Sequence, residues 1–468
     1  MLFPTVEFAI FFLVVLTANW LLLPHRGAWK VFMLAASYLF YGAWDWRFLG
    51  LIFASTVFNQ AMATVIDRAP DPNARKRLVK MAVAGNLAAL GWFKYYGFFV
   101  SSAVNLAGRL GIDLPLPLLR ITLPVGISFF TFQALSYVID VYRGSARPTA
   151  PLDFAVFLAF FPQLVAGPIV RSSEFLPQLK ERKDPRNVEA VEAFGLIAGG
   201  LFKKVVVANT LAAAIVDGVF ANPGAYSALE VLFAIYGYAV QIYADFSGYT
   251  DIAIGVALLM GFRFPQNFEH PYRAVSLQDF WRRWHMTLSR WLRDYLYIPL
   301  GGSRGTRAET YRNLLLTMVL GGLWHGAAWT FVVWGLLHGG GLAVERWMGE
   351  RAEPRPQTPA TVFARRVLTF HLVCLGWVFF RAESFALAGT MLSRLVHFGP
   401  APAVTPTVLL LVAGGIAVHY VPRHLRLRAR HQFGRLRPVA MAAALGAVLL
   451  LVDGLGPEGV APFIYFQF

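Results

Sequence analysis

Three stretches of this chain hold ionisable side chains inside apolar sequence. In GGLWHGAAWTFVVWGLLHGG, residues 321–340, His325 and His338 stand among glycines and tryptophans. An ionisable group within an apolar run is expensive and by default a functional candidate. Imidazole, with an unperturbed pKa of ~6.5, suits a base that activates a hydroxyl near neutral pH. Gly321, Gly322 and Gly326 flank His325, so backbone can approach closely there and a flexible ligand could thread past. His338 follows 13 residues later. On one continuous helix that is a rotation of about 220°, which sets His338 away from a site at His325. The bland alternative for either ring is a satisfied interhelical hydrogen bond; the glycine setting favours function for His325.

The second stretch is NFEHPYRAVSLQDFWRRWHMTLSRWLRDYLYIPLGG, residues 267–302. Ser276 followed by Asp279 reads as a capping box, so a helix is expected from Leu277. Along it Trp281, Trp284, Leu288, Trp291 and Tyr295 form one apolar stripe, with Arg282, Arg283, Arg290, Arg293 and Asp294 on other sides. An amphipathic helix at the membrane interface follows. His285 borders the stripe near Trp281, Leu288 and Leu292, where it can point into the protein. The basic surface that includes Arg282, Arg283, Arg304 and Arg307 suits an anionic acyl donor. The third stretch, QIYADFSGYTDIAIG at 241–255, carries Asp245 and Asp251. Two carboxylates there could serve a proton relay or cation site, as in a secondary transporter. The favoured reading pairs them with arginines of the amphipathic helix.

The elements that position these groups must be membrane helices. Of 468 residues 57% are apolar and 15% charged, and the mean hydropathy is +0.53. Apolar runs recur along the whole length, each near the ~20 residues that cross ~30 Å of hydrocarbon. The expected fold is all-α and polytopic, with about ten to twelve transmembrane helices plus interfacial amphipathic helices. Some runs are short and others long, so tilted, broken or re-entrant helices are expected. The formal charge of +16 is explained by basic loops facing the cytoplasm rather than by nucleic acid. Cys374, the single cysteine, excludes an internal disulfide and reads as a packing residue. The sequence has no dinucleotide or P-loop glycine pattern, no zinc HExxH pair and no serine elbow, and neither a metal nor a tightly bound cofactor is expected.

Together these segments amount to a resemblance. DFWRRWHMTLSRWLRDYLYIPLGG at 279–302, followed by GLWHG at 322–326, is similar to the membrane-bound O-acyltransferase family. FPQLVAGPIVR at 161–171 and DFSGYTDIAIG at 245–255 resemble its bacterial branch, concerned with alginate O-acetylation and teichoic-acid D-alanylation. The resemblance implies acyl transfer to a hydroxyl, with the catalytic histidine on His325 and a second site residue on His285, lining a tunnel across the membrane. It also implies an acyl thioester donor, acetyl-coenzyme A or another, with Arg282, Arg283 and Trp324 as donor-binding candidates. The acceptor is then an exported or cell-surface polysaccharide, reached through a periplasmic acetyl-transferring partner at the bacterial inner membrane. Acetyl is the leading acyl group, and D-alanyl is the alternative.

Residues 1–452 read as the membrane domain and residues 453–468 as an extracytoplasmic tail. The loop 423–437 carries six arginines and no acid, whereas the tail carries two acids and no base. The loop is therefore expected inside and the tail outside, and the same logic sets the N-terminus outside. The tail ends PFIYFQF, an F-x-Y-x-x-F pattern resembling the end of the small companion peptide of D-alanylation systems. Tyr465 is thus a candidate acyl relay, against the bland reading of an aromatic interfacial anchor. Cysteine probes in 423–437 should react only after permeabilisation, and probes near Glu458 in intact spheroplasts; the reverse pattern would contradict this orientation.

Overall fold

The computed structural model describes residues 1–119, 121–351 and 358–456. Among them every regular element is helical. Four helical segments are long and apolar enough to cross a membrane: Arg26–Arg68, Ala190–Ala221, Ala228–Leu259 and Pro359–Arg381. Pro406–Tyr420 and Arg423–Gly434 would make a fifth span if taken together, bent by 97° at the break between them. Helices that are apolar on their outer faces also point to lipid: Leu13 is 66% exposed and Leu410 72%. Isolated exposed leucines are ordinary, but rows of them on successive helices suit hydrocarbon rather than water. This is a multi-pass membrane protein.

Many apolar runs of the sequence are not straight spans. The run 154–170 divides into Pro151–Ala159, the short Phe161–Leu164 and a non-helical stretch. The run 314–342 is a hairpin of two helices, Arg307–His325 and Trp329–Arg351, which corrects the continuous helix assumed between His325 and His338. The amphipathic helix expected from Leu277 is likewise two pieces, Leu277–Trp281 and Met286–Leu292. The basic loop 423–437 is mostly helix, Arg423–Gly434. The last described helix, Pro438–Leu455, runs three residues past the expected boundary at 452.

Local chemistry accounts for several of these ends. Ser276 Oγ accepts from the Asp279 backbone N–H at 3.0 Å, and Asp279 Oδ2 accepts from Val275 N–H, which starts the helix where the sequence reading put it. Thr306 and Glu309 form a reciprocal capping box on the Arg307–His325 helix.

Two compact units form, Met1–Val188 with Ala257–Phe264, and Glu189–Val256 with the described residues from Pro265 on. In the first, buried amides pair with one another: Asn59 and Asn86 exchange hydrogen bonds at 3.2 and 2.7 Å. The segment 161–170 is buried throughout.

The second unit contains the carboxylates of the third stretch, and each meets a lysine. Lys203 Nζ meets Asp251 Oδ2 at 2.5 Å and Ser247 Oγ at 3.0 Å. Lys204 pairs with Asp245 with both side chains almost fully buried. The two lysines are adjacent on the π-helical stretch Phe202–Ala208 and reach carboxylates six residues apart. Gly200 and Gly248 bring the two helices together, since a Cβ on Gly248 would lie 2.7 Å from the Gly200 carbonyl. The ion pairs therefore pin a close helix crossing. Removing one partner of a buried pair costs about 3–5 kcal/mol. Asp245→Asn should lower the melting temperature of the purified protein markedly, and Lys204→Met with Asp245→Leu should recover most of it. An unchanged melting temperature in Asp245→Asn would contradict this assignment.

Candidate active site

Both histidines singled out in the sequence lie in the second unit and are buried, His285 at 0% exposure and His325 at 3%. Their ring centroids are 6.4 Å apart. Trp324 is beside both, at 5.9 Å from His285 and 5.1 Å from His325.

His325 is the last residue of its helix, followed by an extended Gly326. The glycines around it hold protein rather than open space for a ligand, which corrects the expectation of a threaded channel there. A Cβ on Gly322 would lie 2.2 Å from the Phe331 carbonyl oxygen, and one on Gly326 2.0 Å from the Phe331 ring. The chain after His325 folds straight back because these positions lack side chains. That return stacks Trp334 edge-on to His325 at 5.0 Å, while Phe380 of the Pro359–Arg381 helix closes another side at 5.2 Å.

His285 has a different origin. Nothing in WRRWH is a helix breaker, but the segment 267–269 pairs with 283–287: Glu269 N–H donates to the Arg283 carbonyl and Met286 N–H to the Asn267 carbonyl, both at 2.9 Å. This pairing opens the helix and puts His285 in the left-handed region, φ 42° and ψ 53°. Such a conformation costs a non-glycine residue about 1–2 kcal/mol, and strain of this kind clusters at functional sites. Its Nδ1 lies 3.2 Å from Asn267 Oδ1, and Phe246 stands edge-on at 4.6 Å. Among the described residues His285 Nε2 has no hydrogen-bond partner.

His338 is set apart from the pair by Trp334, whose ring lies 4.8 Å from it. Its Nδ1 accepts from the Trp281 indole N–H at 3.3 Å. An indole can only donate, so the His338 proton sits on Nε2, which faces Gly376; a Cβ there would be 2.9 Å away. His338 is thus a packed ring with its lone pair in use, for a reason unrelated to rotation along one helix.

Of the donor-binding candidates, Arg282 is exposed, and Arg283 is held by Asp279 at 2.7 Å. Arg307 meets Glu350 at 3.1 Å. Trp324 belongs to the histidine cluster itself. A cavity of about 770 Å³ in the first unit, lined by Trp20, Arg26, Trp29, Arg182 and Lys183 among others, includes none of these candidates. Tyr465 falls outside the described residues. Sequence reasoning gave no role to Asn267, Trp334 or Phe380; the first began the quoted motif, but its partner 18 positions away is set by tertiary pairing.

Two buried imidazoles facing one aromatic enclosure, one of them with an uncommitted ring nitrogen, can take and return a proton during attack of a hydroxyl on a carbonyl. The chain is 44% identical to the probable alginate O-acetylase AlgI of Azotobacter vinelandii, over 85% of this chain and 79% of that protein. It is 40% identical to the peptidoglycan O-acetyltransferase of Helicobacter pylori, over 78% and 73%. The teichoic acid D-alanyltransferase of Bacillus subtilis is more distant, 29% identical over 56% and 69%. Residues 147–382, which contain both histidines, match the membrane-bound O-acyltransferase family, and the chain belongs to that family.

Proposed function

We propose that this enzyme O-acetylates an exported or cell-surface polysaccharide, using an acyl thioester such as acetyl-coenzyme A from the cytoplasmic side. The observation that carries the reading is the buried pair of imidazoles, His325 and His285, 6.4 Å apart within an aromatic enclosure. Acetyl is favoured over D-alanyl because the acetylating relatives are the more similar, at 44% and 40% identity against 29%. A transporter reading loses its support, since Asp245 and Asp251 are engaged by lysines.

In the proposed reaction a hydroxyl oxygen, that of Tyr465 in the acyl relay, attacks the thioester carbonyl and its proton passes to His325. The tetrahedral oxyanion collapses, the C–S bond breaks, and the proton leaves with the thiol. His285 orients the acceptor hydroxyl or stabilises the oxyanion. Donor and acceptor would meet in a tunnel through an inner-membrane protein with both termini extracytoplasmic. Arg282 and Arg304, both exposed, are the donor-attracting cations that remain from the basic set, with Trp324 against the acyl end.

His325→Gln should lower acetylation by about 10²–10⁴-fold, the usual contribution of a positioned base, at unchanged membrane abundance. His285→Asn retains a residue that tolerates the left-handed conformation, so it should fold normally and lose comparable activity. His338→Asn should reduce the yield of folded protein more than turnover per folded molecule. Normal acetylation in His325→Gln would overturn the assignment.

The acyl group would leave for a periplasmic acetyl-transferring partner by way of Tyr465. Its phenol attacks the thioester, gives its proton to His325, and the aryl acetate so formed is a reactive donor. Tyr465→Phe retains the ring and removes the nucleophile, so acetylation should stop, with labelled acetyl trapped on the C-terminal peptide of the wild type. Full activity in Tyr465→Phe would return the tail to a membrane anchor.

A further inference from the structure

The amide of Asn267 lies against the ring of His285. Asn267, His285 and Thr287 are each at most 1% exposed. Three groups converge on Asn267 Oδ1: the Thr287 backbone N–H at 3.2 Å, Thr287 Oγ1 at 3.0 Å and His285 Nδ1 at 3.2 Å. A backbone N–H can only donate, so the atom at the convergence is the amide oxygen and cannot be the NH₂ group. A contact between that oxygen and His285 Nδ1 is a hydrogen bond only if Nδ1 carries the hydrogen. In a neutral imidazole the lone pair then sits on Nε2. Among the described residues Nε2 has no partner.

We propose that Asn267 is a positioning residue that locks His285 as the Nδ1–H tautomer, so that Nε2 meets the substrate as a hydrogen-bond acceptor. This rests on the acyl-transfer reading and resolves the role left open there. A neutral His285 so held can only accept at Nε2, so it orients the bound substrate by taking a hydrogen bond and cannot donate one to the oxyanion, while the attacking hydroxyl's own hydrogen goes to His325. The same logic gives His338 the opposite tautomer, because its partner at Nδ1 is an indole donor.

The backbone makes the lock rigid. Asn267 receives Met286 N–H on its own carbonyl at 2.9 Å, so the amide and the left-handed turn at His285 are held by one residue. Moving the proton to Nε2 would leave a bare Nδ1 lone pair against the amide oxygen, and a buried acceptor facing an acceptor is disfavoured.

The test uses full-length protein in lipid nanodiscs with ¹⁵N-labelled histidine. The His285 resonances, assigned by their loss in His285→Asn, should show a protonated Nδ1 and a bare Nε2. A protonated Nε2 in the wild type overturns the proposal even if every Asn267 variant fails to fold. Asn267→Ala should lose the single-tautomer signature and lower kcat by on the order of 10²-fold with KM nearly unchanged, the scale seen when a residue orienting a histidine is lost. Asn267→Asp, whose carboxylate still accepts from all three donors, should retain kcat within about tenfold. Turnover per folded molecule near the wild-type value in Asn267→Ala would assign Asn267 a purely structural role. If His325→Gln is also fully active, the acyl-transfer reading fails; if only the Asn267 results disagree, the tautomer lock fails alone.

Discussion

The contact of backbone with backbone at Gly322 is the constraint from which the site follows. With no side chain there, the Phe331 carbonyl and Gly335 come against the Arg307–His325 helix, and the chain can reverse within a few residues of His325. A side chain at either position would separate the two arms. The reversal ends one helix on His325 and delivers Trp334 onto its ring. A catalytic group at a helix end, walled by the returning arm, is held without relying on long flexible loops.

Desolvation governs the rest. In an apolar interior an unmatched polar group costs several kcal/mol, so most such groups here are matched: amide to amide at Asn59 and Asn86, lysine to carboxylate at Lys203 and Lys204, indole to imidazole at Trp281 and His338. Among the described residues His285 Nε2 has no such partner, and neither has His338 Nε2; what distinguishes His285 is its place beside His325 and Trp324. Partners also distinguish two of the buried histidines of this unit. His338 is held at Nδ1 by a tryptophan donor, whereas His285 is held there by an asparagine acceptor.

The sequence made the chemistry more legible than the geometry. His325 announced itself as an ionisable residue in a run of glycine and tryptophan, and Ser276 as a cap, because both signals are local. The break at 282–285 had no local signal. WRRWH contains neither glycine nor proline, and its stripe of Trp281, Trp284 and Leu288 suits a continuous helix; pairing with 267–269 overrides that preference. The hairpin after His325 was hidden for the opposite reason. Glycines read as space for a ligand were space for the chain itself, and periodicity alone cannot tell the two apart. Asp245 and Asp251 stood out as charges in an apolar span, but their lysines lie over forty residues earlier in the chain, and only the crossing at Gly200 and Gly248 joins them.

The central claim is that acyl transfer takes place between His285 and His325. A cryo-EM structure with a non-cleavable thioether analogue of acetyl-coenzyme A tests this most directly. The account predicts the carbonyl-equivalent carbon within the enclosure formed by the two imidazoles and Trp324, in hydrogen-bonding reach of a hydroxyl or water held by His285 Nε2, about 3 Å away. An analogue bound with its reactive carbon outside that enclosure, and both rings still packed only against protein, would contradict it.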